Sequence, residues 1–119
     1  MDEEKQVVTI TRQEGINLAV LESPKVLDEV SISEIGDTLS AIAKDTEFPK
    51  LVVDFRNVSN MSSSALGMLI TVHKRIREAG GQLRLCNINP NIAEVFSITR
   101  LDEIFIIDKE LEDSIAQLK

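Results

Sequence analysis

Between Leu51 and Ile76 the chain changes its hydrophobic period once, and that change limits what it can fold into. Leu51-Val52-Val53 is a short apolar run with β-branched valines between Lys50 and Asp54, the pattern of a buried strand. Polar residues follow, then consecutive serines at Ser62, Ser63 and Ser64. Beyond them Ala65, Leu69, Val72, Ile76 and Ala79 alternate steps of four and three, and Leu66 and Ile70 widen the stripe. The segment therefore predicts strand, loop and helix, in that order.

A serine ahead of a helix is first of all a cap, because its hydroxyl accepts a hydrogen bond from an otherwise unpaired backbone N–H. One serine suffices. The other two are hydroxyls at the positive end of the helix dipole. An anion there is stabilised by about 0.3–1 kcal/mol, rising to about 2 kcal/mol when partly buried. On the residues alone the triple serine reads as a cap and a polar loop, and a phosphate placed on it is compatible with the helix.

Around this segment the periods alternate again. Val7 to Arg12 and Ile16 to Leu21 flank a turn at Glu14-Gly15 and predict an antiparallel hairpin. Pro24 breaks the ladder, and Val26-Leu27 predicts a short third strand. Asp28 or Ser31 is placed to cap a helix carrying Ile32, Ile35, Leu39, Ile42 and Ala43, with Gly36 an interior cost of about 1 kcal/mol against Ala. Gly80-Gly81 closes the second helix. Gln82 to Ile88 then reads as a strand, and Asn89-Pro90 as the start of a short helix with Ile92, Val95, Phe96 and Ile98 on its apolar face. Ile104 to Ile107 is the last expected strand, and Leu111, Ile115 and Leu118 form the seam of a last helix. Strands alternating with helices imply right-handed crossovers, hence a mixed α/β sheet with an antiparallel hairpin and a largely parallel remainder.

The chain has 119 residues and no long linker, which fits one domain over residues 1–119. Its apolar runs are too short to span a bilayer, and Met1-Asp2-Glu3-Glu4 is unlike a secretory signal, so a cytoplasmic location is expected. A net charge of −7, with no Trp or Tyr, argues against nucleic acid and toward a protein partner. Cys86 lies in an apolar run with no second cysteine, the reading of a small core residue, and no metal-binding spacing surrounds it.

The residues Asp54-Phe55, Val58, and Met61-Ser62-Ser63-Ser64-Ala65-Leu66-Gly67 resemble the signature of the STAS domain family, in particular the bacterial anti-sigma factor antagonists. Leu27-Asp28, Gly80-Gly81, Leu83, Leu85, Asn87, Pro90, Val95-Phe96, Ile98-Thr99, Leu101 and Phe105 extend the resemblance over nearly the whole chain. It implies a STAS-like fold with about four helices on the sheet. Carried over position by position, it implies that Ser63 is phosphorylated by an anti-sigma factor serine kinase, with Ser62 and Ser64 as substitutes. It also implies that Asp28, Asn60, Met61, Ser62 and Ser64 form the partner-binding surface. Ser62 stands where Asp is usual, Ala65 where Gly is usual, and Arg100 where Gly is common.

Enzyme chemistry finds little support. His73, the only histidine, is about 13–16 Å down the same helix from Ser63, too far for direct proton transfer, and is expected at the helix surface or rim. No phosphate-cradling glycine motif is present. Lys74, Arg75, Arg77, Arg84 and Arg100 read as cations at the helix's negative end, with an acidic protein partner as the alternative. The acidic run from Asp108 to Asp113 reads as a solvated face at the start of the last helix. The expected protein is thus a monomer or weak dimer that needs no cofactor and no metal. It binds a kinase, with a phosphatase as a further partner, and the alternative is an unphosphorylated STAS scaffold subunit of a larger assembly.

Overall fold

In the computed structural model residues 7–119 are described, so the Met1-Asp2-Glu3-Glu4 start lies outside them. Strands β1 (Val8–Gln13) and β2 (Ile16–Leu21) form the expected antiparallel hairpin, with Val8 opposite Leu21 and Gln13 opposite Ile16. Its turn puts Glu14 at φ 55° and Gly15 at φ 80°, two left-handed residues whose twist suits a tight hairpin. Helix α1 (Glu29–Asp45) then leads to β4 (Lys50–Asp54), α2 (Ser63–Glu78) to β6 (Gln82–Cys86), and α3 (Pro90–Ile98) to β7 (Ile106–Asp108). Helix α4 (Leu111–Leu118) closes the described chain. The sheet order β1-β2-β4-β6-β7 is antiparallel only at the hairpin. Strand β3 (Lys25–Val26) does not join that sheet; it pairs in parallel with β5 (Asn60–Met61) as a separate two-stranded ribbon.

The pleat explains why the central strands are apolar on both sides. Ala19, Leu21, Leu51, Val53, Leu83 and Leu85 face the core beneath α1, α2 and α3. Ile16, Leu18, Val52 and Cys86 face the other way, against Leu118 of α4 with Leu111 and Ile115 at its margin. Cys86 is fully buried there, as a small core residue. Alternate residues thus feed two layers, which is the condition for a parallel sheet covered on both faces.

Several expectations shift. Val95 and Ile98, assigned to the apolar face of α3, are 41% and 73% exposed, because only Ile92 and Phe96 turn toward the sheet. The last strand is Ile106–Asp108 instead of Ile104 to Ile107: Leu101–Glu103 forms a 3-10 turn, and Ile104 is in a helical conformation. Strand β6 stops at Cys86, since Asn87 takes φ 56°. Finally, Arg84, read as a cation at the end of the second helix, and Asp108, read as part of a solvated face, pair with each other. Arg84 donates from Nε at 2.7 Å and from Nη2 at 3.1 Å to the Asp108 carboxylate, which also accepts from Ser114 Oγ at 2.6 Å and so pins α4 to the sheet edge.

Gly36, an isolated cost on helix propensity, lies where α1 meets α2: a Cβ there would stand 2.9 Å from Met68 Cγ. Gly80 does end α2 in the left-handed region at φ 80°, and a Cβ on Gly81 would run into the Pro49 carbonyl oxygen.

Candidate functional site

Because β2, β4, β6 and β7 run parallel and α1, α2 and α3 return between them, the N-termini of those helices gather at one end of the sheet. Each start is capped by a side chain. Asp28 accepts the Ser31 N–H at 2.9 Å, Ser62 Oγ the Ala65 N–H at 3.1 Å, and Asn89 Oδ1 the Ile92 N–H at 2.9 Å. Of the two candidate caps for α1, Asp28 is therefore the one used. Its carboxyl is held below the usual range, first by the Ser31 backbone N–H.

The loop from Phe55 to Ser62 is tied on every side. Ser59 donates from its backbone N–H at 2.7 Å and its hydroxyl at 3.0 Å to the Pro24 carbonyl, and Ser62 N–H donates to Val26 O at 3.1 Å. Asn89 Nδ2 reaches Val58 O at 2.9 Å. At the root of the loop Asp54 is 1% exposed and accepts from Arg56 N–H at 2.9 Å, from the Arg56 guanidinium, and from Asn87 Nδ2 at 3.0 Å. Burial by itself would raise the Asp54 carboxyl; the Arg56 and Asn87 hydrogen bonds outweigh it and hold the group below its ordinary value.

These ties place all the expected residues together. The register Val26 opposite Met61 sets the start of α1 beside the start of α2. Asp28, Asn60, Ser63 and Ser64 are exposed, and Met61 and Ser62 are half-buried. Ser63 and Ser64 are the first two residues of α2, with Ser62 as the cap before them. Their backbone N–H groups precede the first intrahelical bond, from Leu66 N–H to Ser62 O, so they belong to the unpaired donors of a helix start. The Ser63 and Ser64 side chains thus meet solvent at the positive end of the α2 dipole, while the Ser62 hydroxyl is taken up by the cap.

His73 is elsewhere. It is at the rim of α2, with its ring 5.1 Å from that of Phe105 and its Nδ1 buried without a hydrogen-bond partner among the described residues. Burial, and then the charge of Arg77, lower its pKa from 6.5. Among the described residues no group of three or more His, Cys, Asp or Glu could hold a metal, and no helix is long and apolar enough to cross a membrane. Sequence reasoning missed the fastening role of Asp54, Asn87 and Asn89. The signal for Asp54 was an acid directly following a run of strand valines, where burial demands partners.

Comparison with known proteins follows the same outline. BtrV of Bordetella bronchiseptica, which bears the name of an anti-sigma factor antagonist, is 27% identical over 112 residues, 94% of each chain. An anti-sigma-factor antagonist (STAS) domain protein from Planctomyces limnophilus superposes with a TM-score of 0.83 at 21% identity, over 94% of this chain and 97% of that one. The Bacillus cell fate determinant SpoIIAA in its phosphorylated form gives a TM-score of 0.71 at 16% identity, over 94% and 99%. Those two structures speak to the fold. The STAS domain profile matches residues 7–117, and the chain belongs to the STAS domain family.

Proposed function

We propose that this chain is an anti-sigma factor antagonist whose docking on an anti-sigma factor kinase is switched by phosphorylation of Ser63. The observation that carries the reading is the exposed Ser63 at the first position of α2, on one surface with Asp28, Asn60, Met61, Ser62 and Ser64. Unmodified, this surface binds the kinase and frees the sigma factor. A phosphoryl group adds about −1.5 to −2 charges at neutral pH. Within the domain the α2 dipole and the unpaired N–H groups offset part of that charge, so the fold persists. At the interface the same charge must lose its water without a cation to receive it. A loss of about 4 kcal/mol would weaken binding nearly a thousandfold. The switch is electrostatic exclusion, with a phosphatase restoring the unmodified form. The domain itself performs no catalysis in this scheme.

A second reading, a scaffold subunit that is never phosphorylated, draws on Ser62 standing where the resembling proteins carry Asp. Incubation with an anti-sigma factor kinase and ATP, followed by mass spectrometry of wild type and Ser63→Ala, separates the two. A phosphate on wild type that Ser63→Ala lacks supports the switch, and no phosphate on any of the three serines supports the scaffold.

A further inference from the structure

Resting on the docking role above, we propose that the groove between α2 and α3 is the second half of the interface. Its occupant is an amphipathic helix of the anti-sigma factor whose apolar stripe ends in carboxylates. The groove opens beside the switch serine. Met61 and Leu66 on one side and Ile92 and Val95 on the other enclose a cavity of about 100 Å³, and its rim residues Ser59, Asn60 and Asn91 are uncharged. Ile70, one turn below Leu66 on α2, is 38% exposed, and Val95 and Ile98, about one turn apart on α3, are 41% and 73% exposed. These are the side chains that periodicity assigned to the interior and the fold turns outward.

One turn further, Ile70, His73, Lys74, Arg77 and Glu78 line an open concavity. Among the described residues neither Lys74 nor Arg77 forms a salt bridge, although the chain carries a net charge of −7. Ser63, Leu66, Ile70, Lys74 and Arg77 follow one another at steps of three and four, so a single face of α2 runs from the modifiable hydroxyl through apolar side chains to two cations. From Ser63 to Arg77 that face is about 21 Å long, which a helix of roughly four turns would cover. The α2 and α3 walls offer side chains, and β5 at the mouth of the groove is only two residues long and already paired with β3, too short a ladder to hold an extended strand. Helix-in-groove docking is the mode that uses such a surface, and acidic residues at the far end match Lys74 and Arg77.

The test uses the full chain and the purified kinase that it binds. Val95→Asp and Ile70→Asp, both at exposed positions, are each expected to weaken binding at least about tenfold, while Ala93→Asp on another face of α3 leaves it unchanged. Lys74→Glu with Arg77→Glu is expected to weaken binding at low salt and to remove most of its salt dependence. A photo-crosslinker at position 70 should capture an acidic amphipathic segment of the kinase. Groove variants that bind within about twofold of wild type, with Ser63→Glu still abolishing binding, would overturn the groove and leave the switch standing. Capture of a basic or extended segment would overturn the assigned occupant. A wild-type chain that binds no anti-sigma factor kinase would remove the docking role itself, and the groove's role with it.

Discussion

Ser62 accepts the Ala65 N–H at 3.1 Å and is thereby committed to capping α2, leaving the adjacent Ser63 as the exposed first residue of the helix. The two neighbours divide the work: one hydroxyl holds the helix start and the other meets solvent. Ser62→Ala is expected to cost about 1 kcal/mol in urea unfolding, whereas Ser62→Asp, also a capping residue, should stay within a few tenths of wild type. Equal stabilities for wild type and Ser62→Ala would contradict the assignment of the cap.

The helix glycines should answer differently to the same substitution. Gly67 in α2 has nothing within 4 Å of an added Cβ, so Gly67→Ala is expected to stabilise by about 1 kcal/mol. At Gly36 the added methyl meets Met68 Cγ at 2.9 Å, so Gly36→Ala should show no such gain. Combining it with Met68→Ala should reveal a favourable coupling of about 0.5 kcal/mol or more in a double-mutant cycle.

Acid stability should report on the loop root. Asp54 is held below its ordinary pKa in the folded chain against the pull of burial, by Arg56 and Asn87. A depressed folded pKa gives stability that is present above the unfolded value of about 3.9 and is lost as pH falls through the folded value. Asp54→Asn should therefore lower stability at neutral pH and flatten the acid limb of a stability-versus-pH curve. An unchanged acid limb would mean that the Asp54 cluster does not fasten the loop.

At the alkaline end Cys86 should dominate. Burial, and then the charge of Asp54, push its thiol from 9.0 up to about 12. A raised folded pKa means that the stability it contributes is complete below about pH 9 and is lost as pH climbs toward about 12. Cys86→Ala should remove that part of the alkaline loss. In the wild type, a thiol reagent at pH 8 should label the protein only as it unfolds.

Hydrophobic pattern alone places β2, β4, α1 and α2, because β2 and β4 are apolar runs buried on both faces and the two helices bury residues at helical spacing. The resemblance rightly marks Arg100 as a side chain standing at a helix stop; it takes φ 62°. Spacing fails where a short element is turned by its neighbours. In α3 the Phe96 ring packs 5.8 Å from Phe105, and this contact selects Ile92 and Phe96 for the interior and leaves Ile98 outside. Charge pattern fails similarly at Asp108, whose partner Arg84 is 24 residues away in sequence and adjacent only once β6 and β7 pair. The candidate site was legible because five of its six residues run from Asn60 to Ser64 in sequence, and Asp28 came from the resemblance. The ties that hold it, from Pro24, Val26, Asn87 and Asn89, come from other segments and show only in the folded chain.

The most direct measurement is calorimetric titration of an anti-sigma factor kinase with wild type, with the Ser63-phosphorylated chain and with Ser63→Glu, paired with the melting temperature of each form. The expected result is a fall in affinity of about a hundredfold or more on adding charge at Ser63, with melting temperatures that stay together. Affinity that is indifferent to that charge, or a loss of affinity that comes only with a collapse of the melting temperature, would contradict a switch that works by exclusion at an intact surface.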